Sequence, residues 1–210
     1  MGSKLFNFLL NSLMELPETF CLFDTEYTAW EGSQETKWSK YGEEKELIQL
    51  SALLLRKCKN HIFIVDQLNL FVKPKKNPKL SNYITKLTGI TNKKLFENGI
   101  SFDEAMNKFY KFSTFSDTKI KIYSYGNDYS IIKKNLNLNK YDKNHKYYDW
   151  KTSFFDLKHI LEKYNIPTSD YTSGTLYKYF NISETADVHN SEWDVLSMYY
   201  SLCKLLEIYS

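Results

Sequence analysis

Two stretches rich in Leu, Ile and Val constrain this chain most: residues 46–57 (ELIQLSALLLRK) and 62–72 (IFIVDQLNLFV), with only Cys58-Lys59-Asn60-His61 between them. Runs of this length and character read as strands, and so short a polar connection joins antiparallel neighbours. A third apolar run, residues 19–25 (TFCLFDT), precedes them and closes on acids. The polar excursion at 31–44 is long for a loop, which makes it functional or mobile in expectation. Pro74 and Pro78 then end sheet structure, because proline has no N–H to give a ladder.

Beyond the prolines the pattern turns helical. Residues 79–88 read as a short helix closed by Gly89 in a left-handed cap. Ser101-Phe102-Asp103-Glu104 has the form of a capping box. Phe102, Ala105, Met106, Phe109 and Phe112 keep helical spacing, which predicts a helix to about residue 114. Residues 119–125 (KIKIYSY) alternate as a strand. A short helix at 129–135, a brief strand at 147–149, a helix at 154–164 ending before Pro167, a helix at 176–180 and a long helix at 191–209 follow. The helical crossover between the first and fourth strands allows those two to be parallel neighbours. The fold class is therefore α/β with a mixed sheet.

With 210 residues, 42% of them hydrophobic, one domain with one substantial core is expected. Residues 1–16 read as an N-terminal helix or extension and 17–210 as the single domain. The apolar run Leu5–Leu10 is too short to span a bilayer, and Phe6 stands where a myristoylation signal needs Ser or Thr. Cys21, Cys58 and Cys203 are sparse and odd in number, as reduced thiols are. A cytoplasmic protein with no membrane association is expected. A net charge of +3 neither demands nor excludes a nucleic-acid partner.

The chemistry lies in a few acids. Asp24 and Glu26 are two apart at a strand end, so both carboxylates point to one side and can face one ion. Asp128 follows Tyr125-Gly126-Asn127 directly after the fourth strand, where it either caps the next helix or joins Asp24 across parallel strands. His189-Asn190-Ser191-Glu192-Trp193-Asp194 opens the last helix. Asp194 lies among Trp193, Val195, Leu196 and Met198, where an acid costs free energy unless paired or metal-bound. Hard carboxylate oxygens suit Mg²⁺ or Mn²⁺. Two such ions about 3.5–4 Å apart clamp a phosphodiester, and a histidine titrating near neutral pH can take a proton from water.

The order Asp24-x-Glu26, Asp128, His189-x4-Asp194 resembles the DEDDh subgroup of the DnaQ-like exonucleases in the RNase H-like superfamily. The resemblance covers roughly residues 20–200. Asp24-Thr25-Glu26-Tyr27-Thr28 is similar to the family's D-x-E-x-T, Leu87-Thr88-Gly89-Ile90-Thr91 to its LTGIT segment, and Gly126-Asn127-Asp128 to its second motif. The extended first motif, with Trp30-Glu31-Gly32-Ser33, resembles the Eri-1-like exoribonuclease branch. Around His189, Ser191 and Val195 stand where the family has small residues, and Trp193 precedes the last acid.

The resemblance implies a mixed five-stranded sheet with the second strand antiparallel. It also implies removal of nucleotides from the 3′ ends of single-stranded RNA or DNA, with RNA slightly preferred. Asp24, Glu26, Asp128 and Asp194 would hold two divalent cations, Mg²⁺ or Mn²⁺, and His189 would be the general base. Thr25, Tyr27, Thr28, Trp30 and Asn127 would touch substrate. Apart from the resemblance, the lysines at 73, 75, 76 and 79 and at 133 and 134 form two basic stretches, which read either as solvated surface, the commoner role of any single one, or as contacts to the phosphate backbone. Two alternatives stay open: a catalytically weak nucleic-acid-binding module of the same fold, and an oligonucleotide phosphodiesterase.

Overall fold

A computed structural model describes residues 16–115, 118–183 and 189–209. Three strands lead: β1 (Thr19–Tyr27), β2 (Leu47–Cys58) and β3 (His61–Phe71). Helices α1 (Asn82–Thr88), α2 (Asn92–Asn98) and α3 (Phe102–Phe112) follow, then a two-residue ladder of β4 (Thr114–Phe115) and β5 (Thr118–Lys119). The second half holds β6 (Lys121–Ser124), α4 (Tyr129–Leu138), α5 (Lys146–Asp149), β7 (Phe154–Asp156), α6 (Lys158–Glu162) and α7 (Ser191–Tyr209). Short 3-10 helices span Trp150–Ser153 and Ser173–Phe180. The expected N-terminal helix lies, but for Leu16, outside the described residues.

The main sheet has five strands in the order β3-β2-β1-β6-β7. As expected, β2 and β3 form an antiparallel hairpin, β2 runs antiparallel to β1, and β6 lies parallel beside β1. The fifth strand differs from the sequence-based expectation. Residues 147–149 are helical, with His145 as the capping residue. The strand is Phe154–Asp156, inside the stretch expected to be a helix, and helix α6 begins only at Lys158. Packing decides this. Phe154 lies against Phe23, Tyr129 and Trp150, and the backbone there completes a parallel ladder with β6. Helix α2, capped by Thr91, was not expected either.

The sheet is sandwiched between two apolar layers. On one face Phe20, Leu22, Leu53 and Leu55 pack against Val195, Met198, Leu202 and Leu205 of α7. On the other, Cys21, Phe23, Leu50 and Ala52 pack against Met106, Phe109, Ile132 and Trp150. Each large side chain buried this fully contributes roughly 1.5–3 kcal/mol through the hydrophobic effect. Among the described residues no helix is long and apolar enough to cross a membrane, and all three cysteines are free.

Candidate active site

The alternation of β1 sorts its acids. Phe20 and Leu22 face α7, and Asp24 and Glu26 continue that row past the end of the apolar core. Across the β1–β2 ladder Asp24 is opposite Ser51 and Glu26 opposite Gln49. Those two polar residues anchor the start of α7. Ser51 Oγ and Ser191 Oγ are 2.7 Å apart, and Gln49 Nε2 donates to Asn190 Oδ1 at 3.1 Å. Ser191 is wholly buried, and its hydroxyl is spent on this link to Ser51. The anchored helix delivers Asp194 from its first turns. One carboxylate oxygen from each of Asp24, Glu26 and Asp194 lies within 4.8 Å of the others.

Asp128 arrives by another route. Thr25 belongs to the opposite row of β1, and its Oγ1 donates to Asp128 Oδ1 at 2.6 Å. Although Asp128 precedes α4, its side chain makes no capping bond, which leaves the carboxylate for the site. The turn before it is braced from β7. Gly126, at φ +101°, donates its N–H to Asp156 Oδ1 at 2.9 Å, and Lys158 N donates to the same oxygen. Sequence reasoning passed over Asp156, because nothing local distinguishes it from a solvated strand end. His189 stands just ahead of α7 in a left-handed conformation, φ +68°, half-buried and lining the same cleft. Residues 184–188, which precede it, lie outside the described residues.

The acids are crowded and buried, and their carboxyl groups respond accordingly. Burial, then repulsion from Asp128, Asp194 and Glu26, holds Asp24 well above the usual carboxylate range. Burial and the charges of Asp194 and Asp128 push Glu26 up to about 9. Burial raises Asp194 to about 7 against a stabilising bond from Ser173, and raises Asp128 to about 6 against the bond from Thr25. Burial lowers His189 from its ordinary value, which favours the uncharged imidazole. Asp194 Oδ1 is buried and has no hydrogen-bond partner. Oxygen donors gathered this closely, one of them orphaned, fit a hard divalent cation.

These groups line a cleft of about 600 Å³. Tyr27, Trp30, Thr25 and Asn127 line it as well. Thr28 does not. It is 1% exposed, accepts from Glu46 N at 2.9 Å and donates to Glu44 O, so its hydroxyl ties down the loop after β1. That loop also places Trp38 in the wall, where the indole Nε1 donates to Thr28 O at 3.0 Å. Lys45 Nζ sits 3.7 Å from the Trp38 ring centroid, and Tyr27 packs beside the same ring. The cations lining the cleft are Lys45 and Lys158, not the lysine clusters singled out in the sequence. Within those clusters Lys134 pairs with Glu44, and the backbone amides of Lys75, Lys76 and Asn77 hold the buried Glu46 carboxylate.

The RNase T exonuclease family model matches residues 21–202. The nuclease domain of 3′hExo, a DEDDh family member bound to rAMP, shares the fold at a TM-score of 0.72. It is 18% identical over 91% of this chain and 92% of its own. A 3′-exonuclease captured in 3′-end specific recognition of histone mRNA stem-loop superposes at 0.71, 16% identical over 91% of this chain and 64% of its own. E. coli exonuclease I in complex with a dA16 oligonucleotide superposes at 0.62, 17% identical over 91% of this chain but 43% of its own. No curated protein sequence matches the chain significantly. Fold and site together define a phosphodiester hydrolase built around clustered acids. The chain belongs to the RNase T exonuclease family, with its acids and histidine in DEDDh order.

Proposed function

We propose that this domain removes nucleotides from the 3′ ends of single-stranded nucleic acid, RNA ahead of DNA, using two Mg²⁺ or Mn²⁺ ions. The observation that carries the reading is the convergence of Asp24, Glu26 and Asp194 within 4.8 Å on the wall of an open cleft. Asp24, Glu26, Asp128 and Asp194 are the residues that would hold the cations. Bound there, the ions would stabilise the charge that develops on the attacking and leaving oxygens. His189 takes the proton from the attacking water, a role that its half-buried, neutral imidazole suits. Tyr27, Trp30 and Trp38 offer aromatic faces to unstacked bases, which favours single strands or frayed ends. The preference for RNA rests on the likeness to the two proteins seen with rAMP and with a histone mRNA stem-loop. The free thiols accord with a cytoplasmic, reducing setting.

The test uses 5′-labelled single-stranded RNA and DNA of one sequence, with Mg²⁺, Mn²⁺ or chelator. Stepwise shortening from the 3′ end, faster on RNA and abolished by chelator or by Asp24→Ala, is the expected result. Binding without cleavage in every metal would establish a nucleic-acid-binding module instead. Preference for dinucleotides over longer strands would establish an oligonucleotide phosphodiesterase.

A further inference from the structure

We infer that Ser173, Gly174 and Trp193 form a clamp that sets the carboxylate of Asp194, so that the 3-10 helix Ser173–Phe180 positions one ligand of the acidic cluster. The inference rests on Asp194 being a cation ligand, as proposed above. Ser173 Oγ donates to Asp194 Oδ2 at 3.0 Å. Gly174 lies against the same carboxylate: a Cβ there would fall 2.2 Å from Oδ1 and 2.9 Å from Cγ. Trp193, next to Asp194 in sequence, donates from Nε1 to the Gly174 carbonyl at 3.1 Å. Its ring meets Tyr177 edge-on, with centroids 5.5 Å apart.

Each contact has a separate consequence. The serine holds Oδ2 and leaves Oδ1 buried without a hydrogen-bond partner. The glycine is required by space, since any side chain at 174 would drive that free oxygen out of place. The indole, bulky where a smaller residue would not reach, fastens the glycine to the helix that carries Asp194. The clamp thus presents one committed and one available oxygen, which is what a metal ligand with a supporting hydrogen bond needs. Gly174 and Trp193 are positioning residues that act through Asp194, and Ser173 acts through Asp194 while also supporting the neighbouring Asp24 carboxylate.

Mn²⁺ binding by electron paramagnetic resonance on the full chain tests this without any turnover. Metal-free melting temperatures serve as the folding control. Wild type should bind Mn²⁺, and Asp194→Ala should lose a bound ion. Ser173→Ala should weaken Mn²⁺ binding by about tenfold or more, as loss of a supporting group typically does, with its melting temperature near that of wild type. Ser173→Thr should restore most of the affinity, and Gly174→Ala should weaken it further. Wild-type Mn²⁺ binding in both Ser173→Ala and Gly174→Ala, alongside loss in Asp194→Ala, would overturn the clamp alone. Equal binding by wild type and Asp194→Ala would overturn the metal reading and the clamp with it. If Gly174→Ala does not fold, Ser173→Ala and Trp193→Phe, which keeps an aromatic side chain and removes the N–H donor, decide the matter: weakened Mn²⁺ binding in both supports the clamp, and wild-type binding in both overturns it.

Discussion

Thr25 and Asp128 are 103 residues apart in sequence and share a hydrogen bond of 2.6 Å. That bond ties the loop after β6 to the strand that carries Asp24 and Glu26. Thr25→Val keeps the shape and removes the hydroxyl donor, so Asp128 is left with backbone N–H support alone and its carboxylate should reorient. Cleavage is expected to fall by about 10- to 100-fold, the usual effect of removing a group that orients a metal ligand. Thr25→Ser should recover most of the rate. Equal rates for Thr25→Val and wild type in a single-turnover assay would detach Asp128 from this support.

The acidic cluster makes stability depend on pH in a defined direction. Glu26 is raised from 4.5 to about 9 and Asp194 from 3.8 to about 7, so the folded protein binds protons more tightly than the unfolded chain. The stability these groups contribute is present below their ordinary values and is lost as pH rises through the folded ones. Metal-free protein should therefore melt at progressively lower temperature as pH climbs from 4.5 to about 9. Saturating Mn²⁺ should flatten the decline, because the cation replaces the protons. Asp24→Asn should raise the metal-free melting temperature at high pH while abolishing cleavage. A metal-free melting profile that is level across this range would contradict the account.

Trp38 and Lys45 make a stacking and charge pair in the cleft wall. Base stacking on an aromatic side chain is worth about 1–3 kcal/mol, so Trp38→Ala should raise Kd for an oligonucleotide roughly 5- to 150-fold. Lys45→Ala should weaken binding and reduce the slope of log affinity against log salt by about 0.7, the value for one phosphate contact on a single strand. Fluorescence anisotropy with a catalytically blocked variant measures both. An unchanged salt slope would place Lys45 off the path of the strand.

Glu46 is 5% exposed, and its carboxylate accepts from three consecutive amides, Lys75 N, Lys76 N and Asn77 N, at 2.7, 2.7 and 2.6 Å. Glu46→Ala strands those donors and should cost about 3 kcal/mol in urea unfolding. Glu46→Gln, which keeps an oxygen acceptor, should cost less.

Local pattern was enough to read the β2–β3 hairpin, the long helix α7 and the pair Asp24–Glu26. Each of these is a matter of period along one segment: two for the strands and their shared face, 3.6 for the helix. The three-residue strand β7 carries no such period, and its aromatic neighbours read equally well as a helix. It is a strand because β6 offers a ladder and the Phe23–Trp150 layer encloses Phe154.

The same division runs through the site. The sequence alone determined which acids exist, that two of them share a strand face, and that a histidine stands ahead of the last helix. Only the folded chain decided that Thr25 reaches Asp128, that Gln49 and Ser51 anchor the helix bearing Asp194, and that Trp38 and Lys45 line the cleft. It also placed Ser173 and Gly174 against Asp194, 21 residues along the chain from Ser173. Periodicity is a property of neighbours in sequence, whereas a carboxylate's hydrogen-bond partners are whichever groups packing brings within about 3 Å. No spacing rule encodes that second set, because each contact depends on how two separately folded segments meet across the end of the sheet.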